Sequence, residues 1–593
     1  MGPLSIFARF RKRGGGLREA EVSEPEFGDR PEYLENYIRE FVSRTGRDEP
    51  EYMEKIPGDL KNAREFNVVY PVGFGIFIHA YNDPLSESGY NKYVVVEPPK
   101  PPEDLVREVD YRIALILSEE DAPRSSEEKK KILLAALDRV VTTVETMGSN
   151  GSRSRGEGDE GEAGESNGSN GKSWPYGVRR GRIVIEERYY NYLKYHFIRE
   201  KVGVGPLEPF LRDPYLEDIS CNGVGPIYVV HKMFKSLEAS VRFENEEELD
   251  DFIIRLGEKI GKPISHARPV VDATLPDGSR INIVFGSDVS LRGSNFTIRK
   301  VSKVPISVTQ LIRWGTFDSM IAGYMWMMLE EGMSVFICGE TASGKTTSLN
   351  AISSFIRPDA KIVTIEDTAE VVLPHPNWTR ELTRNTGKPE TSVTMFDLLR
   401  AALRQRPNYI IVGEIRGAEG NIAFQAMQTG HPVMATFHAA NLSRLLQRLT
   451  NHPINVPKTN IDSLNIAWFQ SAVHVKGFPA RRVLEIDEII GYDPSSGAIA
   501  AVPVFTWDPV RDKFVFSGRG ASYLLEEKIA TMKGIPRRNI SIIYEDLELR
   551  SRFLQTLADR KVLDYFDVYR AIVRAYNIGI ENALKRLERG DLL

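Results

Sequence analysis

The chain has 593 residues, of which 41% are hydrophobic and 27% charged, a globular composition that excludes a fibrous or wholly disordered protein. Its length implies about three or four domains, and a formal net charge of −5 argues against a surface coated for nucleic-acid binding. Two cysteines, Cys221 and Cys338, provide neither a disulfide framework nor a thiolate metal site, which points to the cytoplasm.

The opening MGPLSIFARFRKRGGG lacks the apolar core of a secretory signal, and Ile6 stands where a myristoylation motif requires Ser or Thr. Leu4, Ile6, Phe7 and Phe10 interleave with Arg9, Arg11, Lys12 and Arg13. This short basic amphiphile reads either as a disordered start or as a docking tail for a membrane surface or partner. Residues 1–65 thus form a tail with helices, partly flexible. The alternating runs FNVVYPVGFGIFIHAY (66–81) and YNKYVVVEPP (90–99) predict strands, and EEKKKILLAALDRVVTTVETM (127–147) predicts a helix. Together they make 66–147 an α+β subdomain of the N-terminal domain. Between 148 and 172 there is no large apolar residue, so 148–173 is expected to be a disordered Gly/Ser/acidic insert.

The second part of the N-terminal α+β domain, 174–300, begins with a helix over 186–202, followed by a strand at 226–231 and a helix over 246–261. It ends in LPDGSRINIVFG, where Asp277-Gly278 signals a hairpin turn. An interdomain linker occupies 301–307. Past 308 strands alternate with helices, as in a parallel sheet covered on both faces. MIAGYMWMML (320–329) is about half the roughly 20 residues a membrane span needs, so it reads as a core helix. SVFICGE (334–340), KIVTIED (361–367), NYIIVGE (408–414) and PVMATFH (432–438) are the central strands, each an apolar run ending in a polar residue. Ligands of such sheets bind beyond the carboxyl ends of the strands, so these endings should converge on one site. TMFDLLRAALRQRP reads as a helix capped at Thr394 and stopped before Pro407. Two further strand segments past 480, with a turn at Asp508-Pro509, precede a mostly helical end.

The nine residues Gly339, Glu340, Thr341, Ala342, Ser343, Gly344, Lys345, Thr346 and Thr347 fit G-x-x-x-x-G-K-[ST] between a predicted strand and a predicted helix. Gly339 and Gly344 let the loop bend so that its amides face the phosphates of ATP. Lys345 reaches the terminal phosphates, and the Thr346 hydroxyl can coordinate Mg2+. Glu414 ends a strand where a P-loop fold places its Walker B acid, which holds Mg2+ directly or through water. Glu366, Asp367 and Glu370 lie at and beyond another strand end, where a carboxylate can orient or activate the attacking water. His431 and His438 are seven positions apart, and an odd offset along a strand sends side chains to opposite faces, which disfavours a shared metal. His431 is assigned to the preceding turn and His438 to sensing the γ-phosphate, with a structural histidine as the alternative.

The order and spacing of GETASGKTT, TIEDTAE, VGEIRG and TGHPVMATFHA resemble the ATPases of type II secretion and type IV pili. The segments LEPFLRDPYLEDISCNGVGPIYVVH, RPVVDATLPDGSRINIVFGSDVSLRGSNFTIRK and ASYLLEEKIATMKGIPRRN look like the archaeal branch, most closely the motor and assembly ATPase of the archaellum. The resemblance runs from about 66 to 580, except across the insert. It implies an α+β N-terminal domain followed by a RecA-like P-loop domain (308–593), a homo-hexameric ring and ATP between subunits. It makes Glu370 the catalytic base, and Gly417 a departure where the family commonly has Asp. It further implies a polytopic membrane platform, other cytoplasmic motor components, and a place at the inner face of the cell membrane, with no nucleic acid. An archaeal pilus or secretion ATPase is the nearest alternative; a non-hydrolysing scaffold and a nucleic-acid motor are the others. Coordinated firing of six sites calls for an arginine arriving at the phosphates on closure. Arg280, Arg292 and Arg299 are the candidates, with surface salt bridges or linker packing as the alternative.

Overall fold

A computed structural model describes residues 25–592 except 58–59, 61–62, 64, 87, 119–122, 124, 145–173, 180, 302–303 and 385–388. The basic amphiphile and the 148–172 insert therefore lie outside the described residues. The chain forms two compact units, Met1–Val301 and Ser302–Leu593.

In the first unit, the strands are β1 Glu51–Tyr52, β2 Asn67–Gly73, β3 Ile76–Tyr81, β4 Asn91–Val96, β5 Val141–Val144, β6 Tyr176–Arg179, β7 Arg182–Glu186, β8 Leu216–Cys221, β9 Gly225–His231, β10 Lys235–Phe243, β11 Val270–Thr274, β12 Arg280–Val284 and β13 Asn295–Arg299. Ten of them make one sheet in the order β1-β2-β3-β4-β10-β9-β8-β13-β12-β11, and β5-β7-β6 make a second. The parts read as 66–147 and 174–300 are thus not separate layers: β4 pairs in parallel with β10, Asn91 opposite Leu237. The helix expected over 127–147 stops at Val140. The run Val140-Val141-Thr142-Thr143-Val144 is β-branched and stiff at χ1, which favours an extended backbone, and β5 pairs in parallel with β7.

In the second unit, the strands are β14 Val335–Cys338, β15 Ile362–Glu366, β16 Trp378–Leu382, β17 Tyr409–Ile415, β18 Val433–Phe437, β19 Ile466–Val475, β20 Phe478–Asp493, β21 Ala498–Asp508 and β22 Lys513–Phe516. They form one sheet ordered β16-β15-β17-β18-β14-β19-β20-β21-β22. Strands β16 to β19 run parallel in that order, and β19 to β22 continue it as antiparallel hairpins. All four central strands expected from the apolar runs are present. Helix Met395–Ala402 begins with a capping box between Thr394 and Asp397, as its Thr-x-x-Asp spacing suggests.

Helix Ser319–Glu330 has every residue from Ile321 to Leu329 buried, which explains an apolar run without a polar face. Among the described residues no helix is long and apolar enough to cross a membrane. This helix is tied to the antiparallel end of the sheet through Glu488, a buried carboxylate on β20. Glu488 accepts from Tyr324 Oη at 2.7 Å, Ser522 Oγ at 2.6 Å and the Leu524 amide at 2.9 Å. A buried charge is tolerable only when so satisfied. Tyr324→Phe should therefore lower the stability of this unit by about 1.5–3 kcal/mol, the worth of a hydrogen bond to a charged group. Denaturant unfolding monitored by Trp fluorescence measures it, and an unchanged midpoint would show that Glu488 is not held in this way.

Candidate functional site

Strand β14 runs into the loop 339–344, and helix Lys345–Ser353 starts immediately after it. The loop is sharply folded: Gly344 has φ +92° and Ala342 φ +62°, the left-handed region that a side chain makes costly. A Cβ on Gly339 would collide with the Gln470 backbone oxygen and lie 2.6 Å from Ser343 Oγ, so only glycine fits. Ser343 N and Oγ both donate to the Glu340 carbonyl, at 3.3 and 2.8 Å. Lys345 Nζ donates to the same carbonyl at 2.8 Å. The side chain curls over its own loop, where a phosphate oxygen can replace that carbonyl. Burial lowers the Lys345 pKa from the usual lysine value, and Glu414, Cys338 and Glu370 oppose the shift.

Glu414 owes its position to an irregularity in β17. The register with β18 shifts between Val412 and Glu414, so Gly413 is the extra residue of a bulge, a device that re-aims the side chain after it. Thr436 Oγ1 closes the bulge by donating to the Gly413 carbonyl at 2.6 Å. Glu414 Oε2 receives Arg416 Nη2. His438 Nε2 lies 2.6 Å from Glu414 Oε1, within ion-pair distance but off the line of a hydrogen bond, and that buried oxygen has no hydrogen-bond donor among the described residues. Burial and the nearby Lys345 cation push the His438 pKa down from the usual imidazole value, while Glu414 opposes the shift. An unsatisfied carboxylate oxygen together with the Thr346 hydroxyl at the helix start is a hard-oxygen donor set of the kind Mg2+ takes.

The acidic residues beyond β15 divide their tasks. Glu366 is 1% exposed, and its Oε1 accepts the amides of Glu370 and Val371 at 2.8 and 2.7 Å. It shapes the turn and is unavailable to a water. Asp367 accepts from Thr383 Oγ1 at 3.0 Å. Glu370 is half-buried; its carbonyl accepts from Asn350 Nδ2 at 3.1 Å, and Asn350 Oδ1 takes the Val372 amide at 3.0 Å. The helix that starts at Lys345 thereby fixes the backbone carrying Glu370, and Glu370 acts electrostatically on both Lys345 and Arg416.

His431 accepts or donates at Thr429 Oγ1, 3.2 Å away, and belongs to the turn before β18. Arg280 and Arg299 are direct cross-strand partners on β12 and β13. Arg299 also stands opposite Asp218 on β8, so a carboxylate adjoins the two arginines. Arg292 is apart from them, on the loop before β13, lining a polar cavity of about 360 Å³ with Tyr90, Asn222 and Tyr228. Motif reading missed Asn350, Arg416 and Glu419. The only sequence signal among them is Arg416 beside the acid of VGEIRG.

These features belong to a nucleotide-binding class, and sequence comparison states which one. Residues 200–468 match the type II/IV secretion system protein family. The uncharacterized protein MJ0900 of Methanocaldococcus jannaschii is 46% identical over 572 residues, covering 95% of this chain and 98% of that one. VirB11 of Agrobacterium fabrum is 29% identical over 270 residues, covering 41% of this chain and 77% of VirB11. The solved VirB11 ATPase of the Brucella suis type IV secretion system shares 25% identity over 49% of this chain and 94% of its own, with a TM-score of 0.25; the kinship rests on sequence. The chain belongs to the type II/IV secretion ATPase superfamily.

Gly417, read from the resemblance as a departure from the family pattern, sits in a turn held by a nearby carboxylate. Glu419 Oε1 accepts the Arg416 and Gly417 amides at 2.7 and 2.6 Å, and a Cβ on residue 417 would stand 3.0 Å from Glu419 Oε2. Glu419 thus fixes the turn that carries Arg416, which in turn holds Glu414. Glu419→Ala should reduce kcat about tenfold, because the loosened turn passes only part of the loss of its two charge-assisted hydrogen bonds on to Glu414, and raise the Mg2+ concentration giving half-maximal turnover. Wild-type kcat and Mg2+ dependence in this variant would remove Glu419 from the site.

Proposed function

We propose that this chain is an ATP hydrolase that couples turnover to domain motion in a membrane-associated filament machine, an archaellum motor in the first instance. The observation carrying the enzymatic part is that Lys345, Glu370, Glu414 and His438 come together at the carboxyl ends of β14, β15, β17 and β18. The phosphates of ATP rest on the loop amides from Gly339 to Thr347, and Lys345 exchanges the Glu340 carbonyl for phosphate oxygens. Glu414 and Thr346 would hold Mg2+, which neutralises charge on the transferring group. Glu370, fixed in backbone and half-buried, takes the proton of the attacking water. His438, beside Glu414, reports whether the terminal phosphate is present. The presence of both Glu370 and Glu414 opposes the scaffold reading.

Six subunits in a ring would place a positive charge at each site on closure, and Arg280, Arg292 and Arg299 are proposed for it. At least one Arg→Ala change among the three should abolish turnover while sparing ATP binding, and Arg→Lys should not restore it, because Lys lacks the planar fork. Mixing that variant with Lys345→Ala should recover part of the activity when the arginine acts across subunits. Three single variants with wild-type turnover would remove these residues from the mechanism.

The archaellum assignment rests on the resemblance of the segments flanking the site to the archaeal branch; the M. jannaschii relative is uncharacterized and is equally compatible with an archaeal pilus or secretion ATPase. Its partners would be a polytopic platform protein in the membrane and other cytoplasmic motor components. Pull-down from native membranes should retrieve the archaellum platform; retrieval of a pilus or secretion platform would replace this assignment with the alternative. ATPase activity measured with and without DNA should be the same, and stimulation by DNA would favour a nucleic-acid motor.

A further inference from the structure

The loop 339–344 is gripped from outside by two residues of the neighbouring hairpin β19–β20. Arg481 Nε donates to the Ala342 carbonyl at 3.0 Å, and Gln470 Nε2 donates to the Ser343 carbonyl at 2.8 Å. In a trans peptide the N–H points opposite to the C=O. Pinning these two successive carbonyls outward therefore turns the amides of Ser343 and Gly344 towards the opposite, concave side of the loop. Alternation of left- and right-handed residues with amides converging is the backbone arrangement that receives anions, and Ala342 and Gly344 are the left-handed residues here.

The orientation of the Gln470 amide is forced. Its Oε1 accepts from Ser348 Oγ at 2.7 Å and Trp468 Nε1 at 3.1 Å, so the donor end must face Ser343. Gln470 is 2% exposed, and a Cβ on Gly344 would stand 2.9 Å from its Nε2; the clamp and the glycine are mutually required. Arg481 is exposed on the hairpin, and its Nε–H is directed at the Ala342 carbonyl. A left-handed Ala342 costs about 1 kcal/mol and persists only where surroundings over-determine it, which these bonds do.

We propose that Arg481 and Gln470 are positioning residues of the phosphate cradle, holding two loop carbonyls so that the amides on the far side face the anion. The inference rests on the reading of this loop as the ATP site, and it concerns binding more than chemistry. Neither residue touches the reacting atoms. Their loss should therefore raise KM and the Kd of both ATP and ADP while leaving kcat at saturation within about twofold.

The test uses the full-length protein, with Mg2+-ATP and Mg2+-ADP titrations, steady-state kinetics and Tm without nucleotide. Arg481→Ala should weaken both nucleotides about three- to fivefold, the upper worth of an exposed charged contact, with Tm unchanged. Arg481→Lys, whose ammonium can still donate to the Ala342 carbonyl, should recover part of the affinity. Gln470→Glu, nearly the same shape but with an acceptor facing the Ser343 carbonyl, should weaken binding more. Since Gln470 is buried and its variant can lose stability, Arg481→Ala decides. Wild-type affinities in Arg481→Ala, or a loss of affinity only in step with a loss of Tm, would overturn the proposal. Lys345→Ala is the comparator: a wild-type protein that binds neither nucleotide, or binds them no better than Lys345→Ala, would instead overturn the ATP-site reading itself.

Discussion

Lys345 is nearly withdrawn from water and feels two neighbouring carboxylates, Glu370 and Glu414, yet its ammonium pairs with neither. It is bound to the carbonyl of Glu340 in its own loop. A direct pair with Glu414 or Glu370 would be hard to break in a water-poor site, since the attraction of opposite charges grows as the local dielectric falls. Keeping the ammonium on a neutral carbonyl leaves it ready for phosphate, and it keeps the lysine from neutralising the acids that a metal ion and a water would need. The geometry that achieves this is distributed along the sheet. β14 supplies the loop, β15 the turn leading to Glu370, the bulged end of β17 the second acid, and β18 the histidine.

Each of these charged groups is aimed by a neutral or buried residue behind it. Glu366 spends one oxygen on the amides that shape the Glu370 turn, Asn350 ties that turn to the helix after the loop, and Thr436 closes the bulge before Glu414. The same logic extends to Glu419 behind Arg416. Helix Lys345–Ser353 is the shared element, because it presents Lys345 and Thr346 at its start and Asn350 further along. A nucleotide that shifts the loop therefore acts on the backbone of Glu370 through covalent continuity and two hydrogen bonds.

Much of this was legible in the sequence, for a definite reason. Apolar runs ending abruptly in Glu, Asp or His mark buried parallel strands, and the P-loop spacing dictates a tight loop and a helix after the first of them. The four central strands, the core helix at 319–330 and the cap at Thr394 arise from such local patterns. The features that stayed hidden depend on pairings between distant segments. The shared sheet of β4 and β10 joins residues separated by the insert, and no local pattern reveals that pairing. The end of the helix expected over 127–147 is a matter of period: Val141 to Val144 continue an apolar trend while switching to β-branched residues. Gln470 and Arg481 sit in stretches with no motif, and their importance comes only from the carbonyls they face. Within the acidic cluster, residue type alone does not distinguish Glu366, buried as a brace, from Glu370, left half-exposed.

Glu370 is the residue on which the hydrolytic reading turns, as the group proposed to act on water at a P-loop nucleotide site. Glu370→Gln preserves the shape of the side chain and every backbone contact of its turn, but cannot take a proton. The decisive comparison is ATP affinity against single-turnover hydrolysis in this variant. ATP affinity should stay within about twofold of wild type while hydrolysis slows by about 10²-fold or more. Near-wild-type hydrolysis in Glu370→Gln would show that another group activates the water.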